Sequence, residues 1–76
     1  MIKDREVAAH VLTLAFEASA KLNESIHIVL ASESKDEVPE FKRAVGAVLA
    51  ELLTEILNPI IREHPELAPQ DWHHVG

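Results

Sequence analysis

The residues of this chain best suited to chemistry are carboxylates and imidazoles. Glu24-Ser25-Ile26-His27 is a Glu-x-x-His spacing, which on a helix makes the two side chains neighbours. In four-helix bundles that cage two iron or manganese ions, a pair of such motifs combines with one Glu from each of two further helices. Glu51 and Glu55 would supply the latter, so two copies of the chain hold the full donor inventory. His64 with the adjacent His73 and His74 forms a second set able to bind a transition metal.

Simpler readings compete with each of these. On a wheel at 100° per residue Glu24 lies at the centre of a polar stripe and His27 at its edge, whereas ligands must project inward. A solvated pair near a helix end, with His27 matched to the helix dipole when protonated, accounts for them. Glu51 and Glu55 likewise mark a solvent-facing stripe. Glu37-x-x-Glu40 and Glu63-x-x-Glu66 have the spacing of paired Mg²⁺ carboxylates, but Pro39 and Pro65 fall inside them and break the helical turn that would aim both groups. Ser19 and Ser25 fall on a buried face, where a bond to the backbone one turn back is the expected role. The two glycines, Gly46 and Gly76, build no phosphate loop. No enzyme activity, no metal and no cofactor is expected.

Composition narrows the class further. The chain has 76 residues, 47% of them hydrophobic, a formal charge of −6 and no cysteine. That is one domain at most, apolar enough to fold, with neither disulfide nor thiolate zinc to staple it. The acidic balance argues against binding a nucleic-acid backbone. Charged and polar residues interrupt the N-terminal segment, so it does not read as a secretory signal. The most apolar stretch, Ala44 to Leu57, carries Glu51 and Glu55, each costing about 2.5–3.5 kcal/mol inside a bilayer. A cytoplasmic protein with no membrane partner is expected.

The elements that must position these residues are two helices. Residues 4–30 carry Glu6, His10, Thr13, Glu17, Lys21 and Glu24 on one stripe, opposite Ala8, Val11, Leu12, Ala15, Ala18, Ser19, Leu22, Ile26 and Val29, an amphipathic helix. Phe16 stands apart from that core face and is expected against the C-terminal tail, at Trp72, or in a seam between copies. A polar loop at 31–36 offers two N-caps, Asp36 or Ser34 with Glu37; Asp36 is preferred because it leaves Pro39 in the first turn. The second helix spans about 37–58. Its polar stripe, from Glu40 through Glu51, Glu55 and Asn58 to Arg62, is narrow, and about two-thirds of its circumference is apolar. Asn58-Pro59 reads as a kink or a restart, with a short helical continuation over 59–64 and an irregular tail over 65–76.

A helix apolar over that much of its surface needs more than one neighbour, and a hairpin provides one. The expected fold is therefore all-α: an antiparallel two-helix hairpin that dimerises into a four-helix bundle. The expected dimer seam is Phe41, Val45, Gly46, Val48, Leu49, Ala50, Leu52, Leu53, Ile56, Leu57 and Ile60. In layout the chain resembles the small two-helix proteins that dimerise into antiparallel bundles, the Rop-like proteins. The resemblance is of architecture alone, since no residue motif is shared and the outer face here is acidic, and it implies no RNA binding. The expected function is a small acidic homodimeric module for protein–protein interaction or regulation. The alternative is a di-metal carboxylate bundle assembled across the dimer from Glu24, His27 and Glu51 or Glu55.

Overall fold

A computed structural model of the protein describes residues 1–70 and 72. The described residues are all-helical and form a hairpin of two long helical runs. The first, α1, is Arg5–Leu30. Asp4 caps it: one carboxylate oxygen accepts the N–H groups of Glu6 at 3.0 Å and Val7 at 3.2 Å, satisfying two of the four free donors of a helix start. At its far end Ala31 N–H donates to the His27 carbonyl. The Ser32 hydroxyl then shapes the turn, donating to Val29 O at 2.7 Å and accepting from Ser34 N–H at 3.0 Å.

The second run begins differently from expectation. Neither Asp36 nor the Ser34–Glu37 pair caps it. A 3₁₀ turn, Lys35–Glu37, leads without a side-chain cap into α2, Val38–Leu52. Pro39 does fall in the first turn of α2, where its missing N–H costs nothing.

At Asn58-Pro59, read as a kink or a restart, one helical element gives way to another with no loop between them. A single π turn, Leu53–Leu57, carries α2 into α3, Asn58–Glu63, and Asn58 keeps helical angles (φ −61, ψ −44) with its N–H bonded to Leu53 O, five residues back. In a regular α-helix the ring of Pro59 would collide with the carbonyl of Glu55; the wider turn makes room for it. The extra residue also advances the inward-facing positions by one. A 3.6-residue period continued from Val45 and Leu52 would turn Ile56 and Glu63 inward. Instead Leu57, Ile60, Ile61 and His64 are buried while Ile56 and Glu63 are not. Asn58, expected on the polar stripe, is buried by the same advance.

The core therefore sits at the end of the hairpin away from its loop. Ala8, Leu12 and Ala15 of α1 meet Leu57, Ile60 and Ile61, and Ile2, Phe16, Leu67, Ala68 and Trp72 close over them. Phe16 packs edge-on against Trp72 with ring centroids 6.0 Å apart, an arrangement that favours aromatic pairs. His64 ends α3, and Pro65–Leu67 follows as a 3₁₀ turn. The whole is a slender ribbon, 45 × 23 × 20 Å with a radius of gyration of 14.6 Å, against roughly 11 Å for a compact chain of this length.

Candidate functional site

The metal-ligand candidates do not converge within the chain. Glu24, His27, Glu51 and Glu55 are all exposed. Leu30 ends α1 and Val38 begins α2, so counting equally from these two residues gives positions at one height along the hairpin. Glu24 then lies level with Ala44, and Glu51 is about 10 Å further along at 1.5 Å per residue. Among the described residues no three of His, Cys, Asp and Glu group as a metal site. Ser25 donates to Leu22 O, the role expected of a helical serine. His73 and His74 lie outside the described residues.

His64 has a specific structural position. Its Nε2 is 2.7 Å from the carbonyl oxygen of Ile2; a carbonyl only accepts, so Nε2 carries the proton. Its Nδ1 faces Glu66 at 3.8 Å. Two ion pairs surround it: the Met1 ammonium with Glu63, and Arg5 Nε with Glu66 at 3.0 Å. The hydrogen bond from Met1 holds the Glu63 carboxyl below its ordinary range. Glu66 is lowered too, first by its own backbone N–H and then by Arg5. This clasp joins the start of α1 to the end of α3. Its partners lie some sixty positions apart and carry no local spacing signal.

The residues expected at a dimer seam divide into three groups. Val45, Leu57 and Ile60 are buried inside the single chain, the last two in the core with α1 and the tail. Gly46 and Ala50 are exposed, but each stands two residues from Val48, about 200° round the helix and so on the opposite side. Val48 and Ile56 remain as exposed apolar positions, with Phe41, Leu49, Leu52 and Leu53 half-buried between the helices.

Helix α1 adds a set to these that wheel analysis of the second helix alone does not reveal. Val7, Leu14, Ile28 and Val48 keep between 49% and 65% of their surface exposed. Val7, Leu14, Ala18 and Ile28 each precede an inward-facing residue, namely Ala8, Ala15, Ser19 and Val29. On the second helix Ala44, Val48 and Ile56 stand in the same relation to Val45, Leu49 and Leu57. An antiparallel pair of helices is related by an approximate twofold axis perpendicular to its plane, so equivalent flanks share a face. These seven residues therefore share one flank of the ribbon with Lys21, Glu40 and Glu51, which stand in the same relation to Leu22, Phe41 and Leu52.

The chain matches no protein-family model, no curated protein and no solved structure.

Two further quantities describe the chain as a whole. The chain exposes 5647 Å², against roughly 4,600 Å² for a compact monomer of 8.4 kDa. The excess of roughly 1,000 Å² is comparable to the ~800 Å² that each partner contributes to a stable protein interface. By length and composition the helical run Lys35–Glu63 is also long and apolar enough to cross a membrane, with Glu51 and Glu55 inside it. Elsewhere, an open cleft near the hairpin turn is lined by Val29, Ser34, Glu37, Glu40, Phe41 and Ala44; its two carboxylates and the Ser34 hydroxyl have no imidazole among the lining residues.

Proposed function

We propose that this protein is a small acidic homodimer, a four-helix bundle made of two hairpins, that works by binding another protein rather than by catalysis. The observation that carries the reading is the apolar face of Val7, Leu14, Ala18, Ile28, Ala44, Val48 and Ile56, which the single chain leaves open. Large apolar side chains left exposed along one flank mark an interaction surface. Covering it with a second hairpin turns a one-layer ribbon into a two-layer bundle, the arrangement by which amphipathic helices ordinarily bury both flanks. The remaining surface keeps Glu6, Glu17 and Glu24 on the outside, and the −6 charge per chain favours basic partners.

Membrane insertion of the second helix is disfavoured by Glu51 and Glu55, which sit near the centre of its most apolar stretch and each cost about 2.5–3.5 kcal/mol there. Sedimentation velocity over about 1–100 µM, a range that brackets ordinary self-association, tests the assembly. A dimer is expected; a monomer throughout overturns the reading.

A further inference from the structure

We infer that the partner for this face is a second copy of the chain, docked with α1 of each protomer over the second helix of the other. The inference rests on the homodimer proposed above and names its seam and its orientation. The elongated chain exposes roughly 1,000 Å² more than a compact one of its mass, which leaves room for the ~800 Å² that each protomer of a stable dimer covers.

Charge decides the orientation. Lys21 precedes Leu22 and Glu51 precedes Leu52, so both lie on the same flank as the apolar residues. Neither makes an ion pair among the described residues. Counting nine residues from Leu30 and from Val38 sets Lys21 level with Ala47, with Glu51 one turn further, about 6 Å along the axis.

Two hairpins can meet face to face in two ways. With the dyad parallel to the helices, α1 lies over the partner's second helix at the same height. Lys21 then borders the partner's Glu51 on the outer edge of the bundle, and the pair occurs twice. With the dyad across the helices, α1 lies over α1 and the second helix over its own copy. That arrangement sets Glu51 against the partner's Glu51 near the centre, with the two copies of Lys21 offset by about 12 Å along the axis. Like charges placed in that way oppose association. The first arrangement pairs opposite charges and buries the same apolar residues. It is the one the sequence specifies.

Cysteine cross-linking separates the two, on a chain that contains no cysteine of its own. Ala18 lies at mid-helix on the seam, within about 3 Å of the height of Val48. Both are exposed, so substitution leaves the protomer core untouched. A mixture of Ala18→Cys and Val48→Cys chains is expected to form a covalent dimer on oxidation, and Ala18→Cys alone is not. Lys21→Glu is expected to weaken association up to about fivefold, with Glu51→Lys in the same chain restoring it. A covalent dimer from Ala18→Cys alone, or a stable dimer that the mixture fails to cross-link, overturns the orientation and leaves the homodimer standing. A chain that sediments as a monomer overturns both, and if that monomer floats with phosphatidylcholine vesicles the face belongs to a membrane surface instead.

Discussion

The imidazole of His64 donates from Nε2 to the backbone carbonyl of Ile2 across 2.7 Å, tying the last turn of the second helix to the segment that precedes the first. His64 is buried, so the bond is shielded from competing water. Replacing His64 with Ala removes the donor and leaves the Ile2 carbonyl without this partner. The expected loss is about 1–3 kcal/mol, read as a lower midpoint in urea at fixed protein concentration, since association also contributes to apparent stability.

Ile60 and Ile61 are fully buried neighbours in the same core. Truncation of either to Ala removes methyl groups from a site closed on one side by α1 and on the other by the tail. Each substitution is expected to cost about 2–5 kcal/mol. For a domain of this size 1 kcal/mol moves the thermal midpoint by about 4–8 °C, so a differential scan is enough to check it.

The π turn and Pro59 are expected to behave as a unit. Deleting Thr54, exposed within the turn, returns the helix to a regular period but drives the proline ring into the preceding turn, at a cost of about 3 kcal/mol. The same deletion combined with Pro59→Ala is expected to recover most of that loss. Equal destabilisation of the two variants in thermal unfolding would show that the wider turn has some cause other than the proline.

Glu63 and Glu66 both ionise below the ordinary value of 4.5 in the folded chain. The folded state thus holds fewer protons than the unfolded one just below that value. The stabilisation they provide is complete above the ordinary carboxylate range and is lost as pH falls through the lowered pKa values. The thermal midpoint is expected to hold level down to about pH 5 on this account and to fall below it. Glu63→Gln combined with Glu66→Gln should flatten the fall. Both groups are exposed, so 1 M salt should flatten it as well.

At Gly46 an added Cβ would meet nothing within 4 Å. Gly46→Ala is expected to stabilise the helix by about 0.5–1 kcal/mol without altering association, because this residue faces away from the Val48 seam. A weakened dimer would return Gly46 to the seam where the sequence reading placed it.

Much of the fold was legible because it depends on local pattern. The polar stripe from Glu6 to Glu24 located α1, and the isolated Phe16 pointed to Trp72. What a single wheel could not give was the change of period at Leu53–Leu57. A uniform 100° step carried past that turn puts Ile56 inside and Asn58 outside, the reverse of their positions. The candidate face was half legible for a related reason. Attention to the second helix found Val48 and Ile56, but Val7, Leu14 and Ile28 become a surface only once the antiparallel pairing shows which flanks coincide. The clasp of Met1, Arg5 and His64 with the far end of the chain had no sequence signal at all, since pairs at such separation are set by topology.

The position of the core also governs the order of assembly. Its contacts join Ala8 and Leu12 to Leu57, Ile60 and Ile61, about fifty positions away along the chain, so each must close a long loop before it gains anything. A hairpin zipping from its turn forms the weakly packed end first and reaches these contacts last. Folding of this helical protein should accordingly be slower than its helix content suggests, with its rate set by the meeting of the two ends rather than by the formation of either helix.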